Sequence, residues 1–257
     1  MAYARVGIIG YGRLGRCIAK NISILKPLIR DTRTPANTCG DVVSNPNEHV
    51  NYAATNSEVV TYSDVIVLAV KPDKMREVCI EIGAAIAEHH IVISVAARVS
   101  TQDITTWLGT QRVIRCMPNL DTARGLVPYF TSMTHTDLVH TALNSVFHGK
   151  HMQCLKEEDL NVATLVGSCS PALFAWMIRE LQAFACAHID SGMSAEIIAE
   201  SFKSTARLLD TMSPDEIIDT VASPGGLTER MLHSLEDNGA DTTLNWSLED
   251  SLNVMKR

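Results

Sequence analysis

Three glycines, Gly10, Gly12 and Gly15, have the spacing of a diphosphate-binding turn. They follow a short apolar run, Val6 to Ile9, with the length and β-branched content of a buried strand, and lead into a helix-like segment, Leu14 to Leu25. In such a unit the first glycine makes the tight turn, the second lets backbone approach a pyrophosphate, and the third lets the helix pack close to the strand. The free N–H groups and the positive dipole end at the helix start favour the anion. The chemistry indicated is dinucleotide binding by Gly10, Tyr11, Gly12, Arg13 and Leu14. A ligand-free glycine-rich turn is the alternative.

The stretch Asp31-Thr32-Arg33-Thr34-Pro35 lies about 20 residues past the glycines, where such folds choose their cofactor. An acid there bonds the adenosine 2′-hydroxyl of NAD, whereas an arginine with hydroxyls receives the 2′-phosphate of NADP. If the strand that begins near Pro27 ends at Arg30, Asp31 takes the ribose. If it runs one residue further, Thr32, Arg33 and Thr34 form a phosphate cup. NADP is the preferred cofactor, with NAD possible.

These residues need a sheet to hold them. Residues 37–57 are polar and poorly periodic, with a short candidate strand from His49 to Ala53. Asp64 to Val70 is a near-continuous β-branched run, as in a strand buried on both faces of a parallel sheet, and it stops at Lys71-Pro72. A helix Met75–His89, a strand Ile91–Val95, a helix Thr101–Leu108 and a strand Arg112–Cys116 follow. This alternation predicts a doubly wound α/β sheet. Ligands in such sheets bind beyond the carboxyl ends of the strands. Ala69–Pro72, Ser94–Ala97 and Met117–Asn119 should therefore rim one crevice with Gly10–Leu14.

From about Lys156 helical periodicity takes over. Pro171 is placed to open a helix to His188, and Ser194 to cap a second reaching Met212. Ser213-Pro214-Asp215-Glu216 opens a third with a cap, a proline and first-turn acids. Ser223-Pro224-Gly225-Gly226 interrupts before Leu227–Glu236, and Thr242–Met255 closes the chain. The expected domains are 1–155, α/β, and 156–257, all-α.

A chain of 257 residues with 46% hydrophobic and 20% charged residues suits a two-domain globular protein. A net charge of −7 without a Lys/Arg cluster argues against nucleic-acid or membrane-surface partners. The first strand starts almost at Met1, so no signal peptide is expected, and no apolar run looks long enough to span a membrane. The seven cysteines are scattered and never in a Cys-x-x-Cys pair, the usage of a reducing cytosol. His148 and His151 lie three apart but lack further metal-ligand candidates nearby, so a solvated loop is the reading and no metal is expected.

Over nearly its whole length the chain resembles pyrroline-5-carboxylate reductase. The matching blocks are Ile8 to Gly15, Asn56-Ser-Glu-Val59, Asp64 to Pro72, Ser94-Val-Ala-Ala97, Arg115-Cys-Met-Pro-Asn119, Ser168-Cys-Ser-Pro-Ala172 and Val221-Ala-Ser-Pro-Gly-Gly-Leu-Thr228. The resemblance implies a Rossmann-type domain followed by a dimerisation domain that interlocks with a second subunit, hence a homodimer or higher oligomer, for which the cysteine usage indicates a cytoplasmic location. It implies transfer of a hydride from NAD(P)H to the imine carbon of 1-pyrroline-5-carboxylate, giving L-proline. Asn56 would contact the adenosine end, Ala69, Val70, Lys71 and Pro72 the nicotinamide end, with Ala96 beside the cofactor and Asn119 beside the substrate. Ser223, Gly225 and Gly226 would cradle the ring carboxylate, since N–H groups ahead of a helix suit an anion. Thr228 would hydrogen-bond the imine nitrogen and relay a proton, directly or through water. Ser223 and Thr228 are thus the catalytic candidates; otherwise either hydroxyl merely caps a helix.

The departures gather near the expected substrate. Gly167-Ser168-Cys169-Ser170 replaces Ser-Gly-Ser-Gly, and Leu120-Asp121 stand where Thr-Pro is usual. Arg98 replaces a glycine, and Glu229 follows Thr228 where an apolar residue is usual. They leave open a different cyclic imine on the same scaffold, or a cofactor-binding protein without catalysis. The Met177, Ile178 and Leu181 stripe reads as core or dimer seam.

Overall fold

The computed structural model describes residues 5–22, 27–30, 43–45 and 50–256. The chain divides into two compact units, Met1–Cys169 with Met255–Arg257, and Ser170–Val254.

In the first unit, β1 (Val6–Ile9) passes through the glycine turn into α1 (Arg13–Asn21). There follow β2 (Leu28–Arg30), β3 (Val43–Asn45), β4 (Val50–Tyr52), α2 (Asn56–Thr61), β5 (Val65–Leu68) and α3 (Pro72–Gly83). Then come β6 (Ile91–Ser94), α4 (Thr101–Leu108), β7 (Val113–Cys116), β8 (Val127–Thr131), α5 (Thr136–Val146) and β9 (His151–Gln153). Among the described residues the strands form one nine-stranded sheet, ordered β3-β4-β2-β1-β5-β6-β7-β8-β9. The β3–β4 and β7–β8 pairs are antiparallel and the rest parallel.

The buried runs of the sequence have a simple cause. Successive side chains of a strand point to opposite faces. Val6, Ile8, Val65 and Val67 join one apolar cluster, while Ile9, Ile66 and Leu68 join the other. With both faces covered, every position in β1, β5, β6 and β7 is buried.

Several elements differ from the sequence expectation. The first helix is shorter than Leu14–Leu25, because the Ile22 N–H closes its last turn on Ile18. Pro72 opens α3 instead of only ending a strand, since a proline at the first helical position forfeits no needed donor. The same helix ends at Gly83, well before His89, and tight turns carry the chain on to β6. His151 opens β9 and buries Nε2, so it does not belong to a solvated loop.

One continuous helix runs from Asp159 to Cys186, as α6 (Asp159–Ala163), a π-helical turn (Thr164–Cys169) and α7 (Ser170–Cys186). Pro171 therefore sits inside it rather than at its start. Proline lacks the N–H that would bond four residues back, and the widened turn just ahead of it absorbs the loss. By length and composition this helix could cross a membrane, which corrects the expectation that no apolar run is long enough. Leu160 to Ile178 carries no Asp, Glu, Lys or Arg; small polar residues break up the apolar run without adding charge.

The second unit continues with α8 (Ser191–Leu208), α9 (Pro214–Val221), α10 (Leu227–Asp237) and α11 (Ala240–Met255). Asp190, not Ser194, caps α8, accepting the Gly192 and Met193 N–H groups. Ser194 is buried within it, against Cys186. Ser213 and Glu216 form the full reciprocal cap of α9. Within Ser170–Val254 only Ser194 and Ile198 are buried. Phe174, Trp176, Met177, Leu181 and Phe184 are exposed, so the stripe on this helix is not core within one chain.

Candidate functional site

The strand order reverses direction at β1, with β2 on one side and β5 on the other, and a doubly wound sheet opens its ligand crevice at that switch. A cleft of about 640 Å³ lies there. Gly10 takes φ +99°, a left-handed conformation closed to most side chains, and a Cβ on it would lie 2.6 Å from the Ala69 carbonyl oxygen. A Cβ on Gly15 would collide with the Gly10 carbonyl, so its absence lets α1 pack down on β1. Nothing lies within 4 Å of the corresponding point above Gly12. Gly12 also caps α1 without a side-chain hydrogen bond, and no acid occupies the first turn. Space, a helix start without a side-chain cap, and dipole thus coincide at one point, which is what a diphosphate requires.

Gly10, Tyr11, Gly12, Asn56, Ala69, Val70 and Lys71 line this cleft, and Arg13 and Leu14 begin the helix at its mouth. The Tyr11 ring is buried, edge-on to Tyr52 and beneath the Arg16 guanidinium. Asn56 opens α2 and donates its amide to Glu81 at 2.7 Å. Thr55 caps this helix by accepting the Glu58 N–H; Thr55-x-x-Glu58 is the sequence signal from which α2 could have been anticipated. Pro72 instead borders a second cavity with Arg98 and Trp107, and Ala96 is buried in the core. Thr32, Arg33 and Thr34 lie outside the described residues. Arg30, Lys74, Glu77 and Glu81 line the cleft without having been expected. Arg30 ends β2, and in the sequence it marks only a possible strand boundary.

At the carboxyl end of β7, Asn119 holds a buried side-chain oxygen with no hydrogen-bond partner among the described residues, packed against Gly125. Ser168, in the π turn, donates to the Met117 carbonyl at 2.8 Å and so ties that turn to this rim. Burial pushes the Cys116 thiol far above its ordinary range, which rules out a thiolate nucleophile there.

The hydroxyl candidates lie in the second unit. Gly226 is the N-cap of α10, with no side-chain cap bond, so neither Ser223 nor Thr228 caps the helix. Thr228 stands at its second position, half-buried. The expected cradle is partly engaged: the Gly226 N–H bonds the Ser223 carbonyl at 2.8 Å, and the Gly225 N–H bonds Glu229 Oε2 at 2.7 Å. An acid at the third helical position reaches back to an upstream N–H, a contact visible in sequence only as a capping pattern.

Pyrroline-5-carboxylate reductase 2 of Homo sapiens is 31% identical to this chain over 266 residues, covering 96% of it and 81% of the human protein. The chain belongs to the pyrroline-5-carboxylate reductase family. Residues 157–257 match the family model for pyrroline-5-carboxylate reductase dimerisation, and residues 5–98 the model for NADP oxidoreductase, coenzyme F420-dependent. The Arabidopsis thaliana pyrroline-5-carboxylate reductase is 28% identical over 93% of this chain and 90% of its own length. The solved structure of Plasmodium falciparum pyrroline carboxylate reductase with NADP bound shares the fold, with a TM-score of 0.85 at 24% identity. That likeness covers 100% of this chain and 98% of the other.

Against this family the departures acquire positions. Arg98, in place of the family glycine, keeps a left-handed backbone at φ +65°. Leu120 projects from the β7 rim with 65% of its surface exposed. The altered Gly167–Ser170 stretch spans the end of the π turn and the start of α7.

Proposed function

We propose that this chain reduces 1-pyrroline-5-carboxylate to L-proline with NADPH. The observation that carries this is the match to the human reductase, which covers 96% of the chain and so takes in both units. The glycine turn supports the cofactor: it combines an open space above Gly12 with an uncapped helix start. Arg30 on the cleft wall supplies a cation at the adenosine end and favours the 2′-phosphate of NADP over the bare ribose of NAD.

When bound, NADPH supplies the hydride that converts the C=N bond to C–N, and one proton completes the amine. The Ser223 hydroxyl holds the ring carboxylate, joined by the Gly225 N–H once Glu229 gives it up, while the Gly226 N–H, bonded to the Ser223 carbonyl, keeps the turn in shape. Thr228 orients the imine nitrogen and passes the proton to it from water, because a hydroxyl is a weak acid by itself. Positioning carries most of the catalysis.

We assign residues 1–155 to cofactor binding and 156–257 to dimerisation and substrate binding. A second copy, rather than a bilayer or a nucleic acid, is the partner we assign to the exposed apolar helix, in keeping with the family model over 157–257. The described cysteines are all free, which favours the cytoplasm.

The test follows loss of reduced-nicotinamide absorbance with 1-pyrroline-5-carboxylate, using NADPH and then NADH. Turnover with NADPH is expected, and Thr228→Ala should lose about 100-fold or more in kcat while still binding NADPH. Tight NADPH binding without turnover would refute the reading.

A further inference from the structure

We propose that Glu229 acts as an internal competitor for the substrate carboxylate and thereby sets the preference of this site among cyclic imines. The inference rests on the imine-reductase reading above and adds a specificity-determining residue to it. Gly225, at φ +72°, turns its N–H toward the start of α10, and Glu229 Oε2 accepts it at 2.7 Å. The Gly226 N–H is turned back on the Ser223 carbonyl at 2.8 Å. Of the donors that would hold a ring carboxylate, one is therefore already bonded to a carboxylate of the same chain.

A substrate carboxylate arriving at Ser223 and Gly225 must break the Glu229 bond and endure its negative charge nearby. A cyclic imine without a carboxylate meets neither obstacle. Glu229 lies directly after Thr228 and has somewhere to go when displaced. It shares a shallow groove with Arg230 and His233, and His233 stands one helical turn along on the same face of α10. The plainer role, an acid stabilising a helix start, would support both kinds of substrate equally. The two roles therefore differ in selectivity.

The experiment measures kcat/KM for 1-pyrroline-5-carboxylate and for 1-pyrroline, the same ring without the carboxylate, at saturating NADPH. The proteins are wild type, Glu229→Gln and Glu229→Leu, each checked for fold by circular dichroism. The ratio of the two kcat/KM values should rise about tenfold in favour of the carboxylate-bearing ring in Glu229→Leu. Glu229→Gln should rise less, since its amide oxygen still takes the Gly225 N–H without the charge. A ratio unmoved in the folded variants would overturn the proposal; if Glu229→Leu does not fold, Glu229→Gln decides alone. If no variant turns over either imine while NADPH still binds, the reductase reading fails separately. L-Proline binding to the NADP-loaded proteins then decides the role of Glu229: tighter binding without the carboxylate supports it, and equal binding rejects it.

Discussion

Arg115, buried at the end of β7, is joined to Glu157 at 3.0 Å, and the same carboxylate accepts the N–H and hydroxyl of Thr101 at 2.8 Å each. Arg115 also reaches Asn161 at 3.3 Å, so this cluster fastens α4 and α6 to the strand that carries Met117 and Asn119. Removing the acid leaves a guanidinium in the interior. Glu157→Ala should cost about 3 kcal/mol in urea unfolding, well beyond what a surface pair contributes. A loss within the range of an exposed pair would show that Asn161 and water suffice for Arg115.

Two glycines of the same turn should fail in different ways. Alanine at Gly12 meets no protein atom and has an ordinary backbone at φ −76°, so the melting temperature should hold. Its methyl group would stand where the diphosphate is expected, weakening NADPH at least about tenfold in a titration of intrinsic fluorescence. Alanine at Gly15 instead runs into the Gly10 carbonyl and should cost about 1–3 kcal/mol of stability. Equal effects from both substitutions would contradict this division.

Arg98 holds φ +65° without being glycine. Left-handed backbone costs most residues about 1–2 kcal/mol, partly offset by the greater unfolded-state freedom of glycine. Arg98→Gly should therefore stabilise the protein by about 0.5–1 kcal/mol in chemical denaturation. Arg98→Ala should bring no such gain.

His90 is buried, and its Nδ1 accepts the Ala87 N–H at 2.8 Å. Burial first, then the neighbouring His89, holds its imidazole below the ordinary range. The unfolded chain begins to take up the proton near pH 6.5, while the folded chain resists it. Stability from this group is therefore complete above that pH and declines as the pH falls toward the folded value. His90→Asn keeps an acceptor for Ala87 and removes the titration. It should flatten the dependence between pH 7 and 5 by at most about 1.4 kcal/mol per pH unit. His151, also depressed by burial, maintains part of the slope.

The parts of the fold visible in the sequence are those where one local force dominates. The glycine turn, β5, β6 and α4 announce themselves through burial on two faces or through a cap such as Ser100. The edge strands β3 and β9 are three residues each, too short for any period, and tertiary pairing makes them strands. Ser194 has the residue type of a cap, yet the charged Asp190 reaches two N–H groups and fixes the start earlier. For the site, residue types indicated the glycine turn and the Ser223–Thr228 segment. They did not reveal Arg30, whose role depends on where its strand ends, or the hydrogen bond from Gly225 to Glu229.

A segment of 85 residues in which only Ser194 and Ile198 are buried has no sufficient core of its own. For the assembly proposed above, folding of that segment and encounter between copies become one event. Thermal stability then becomes a function of dilution: each tenfold fall in protein concentration should lower the melting point measurably, whereas a self-sufficient chain would not respond.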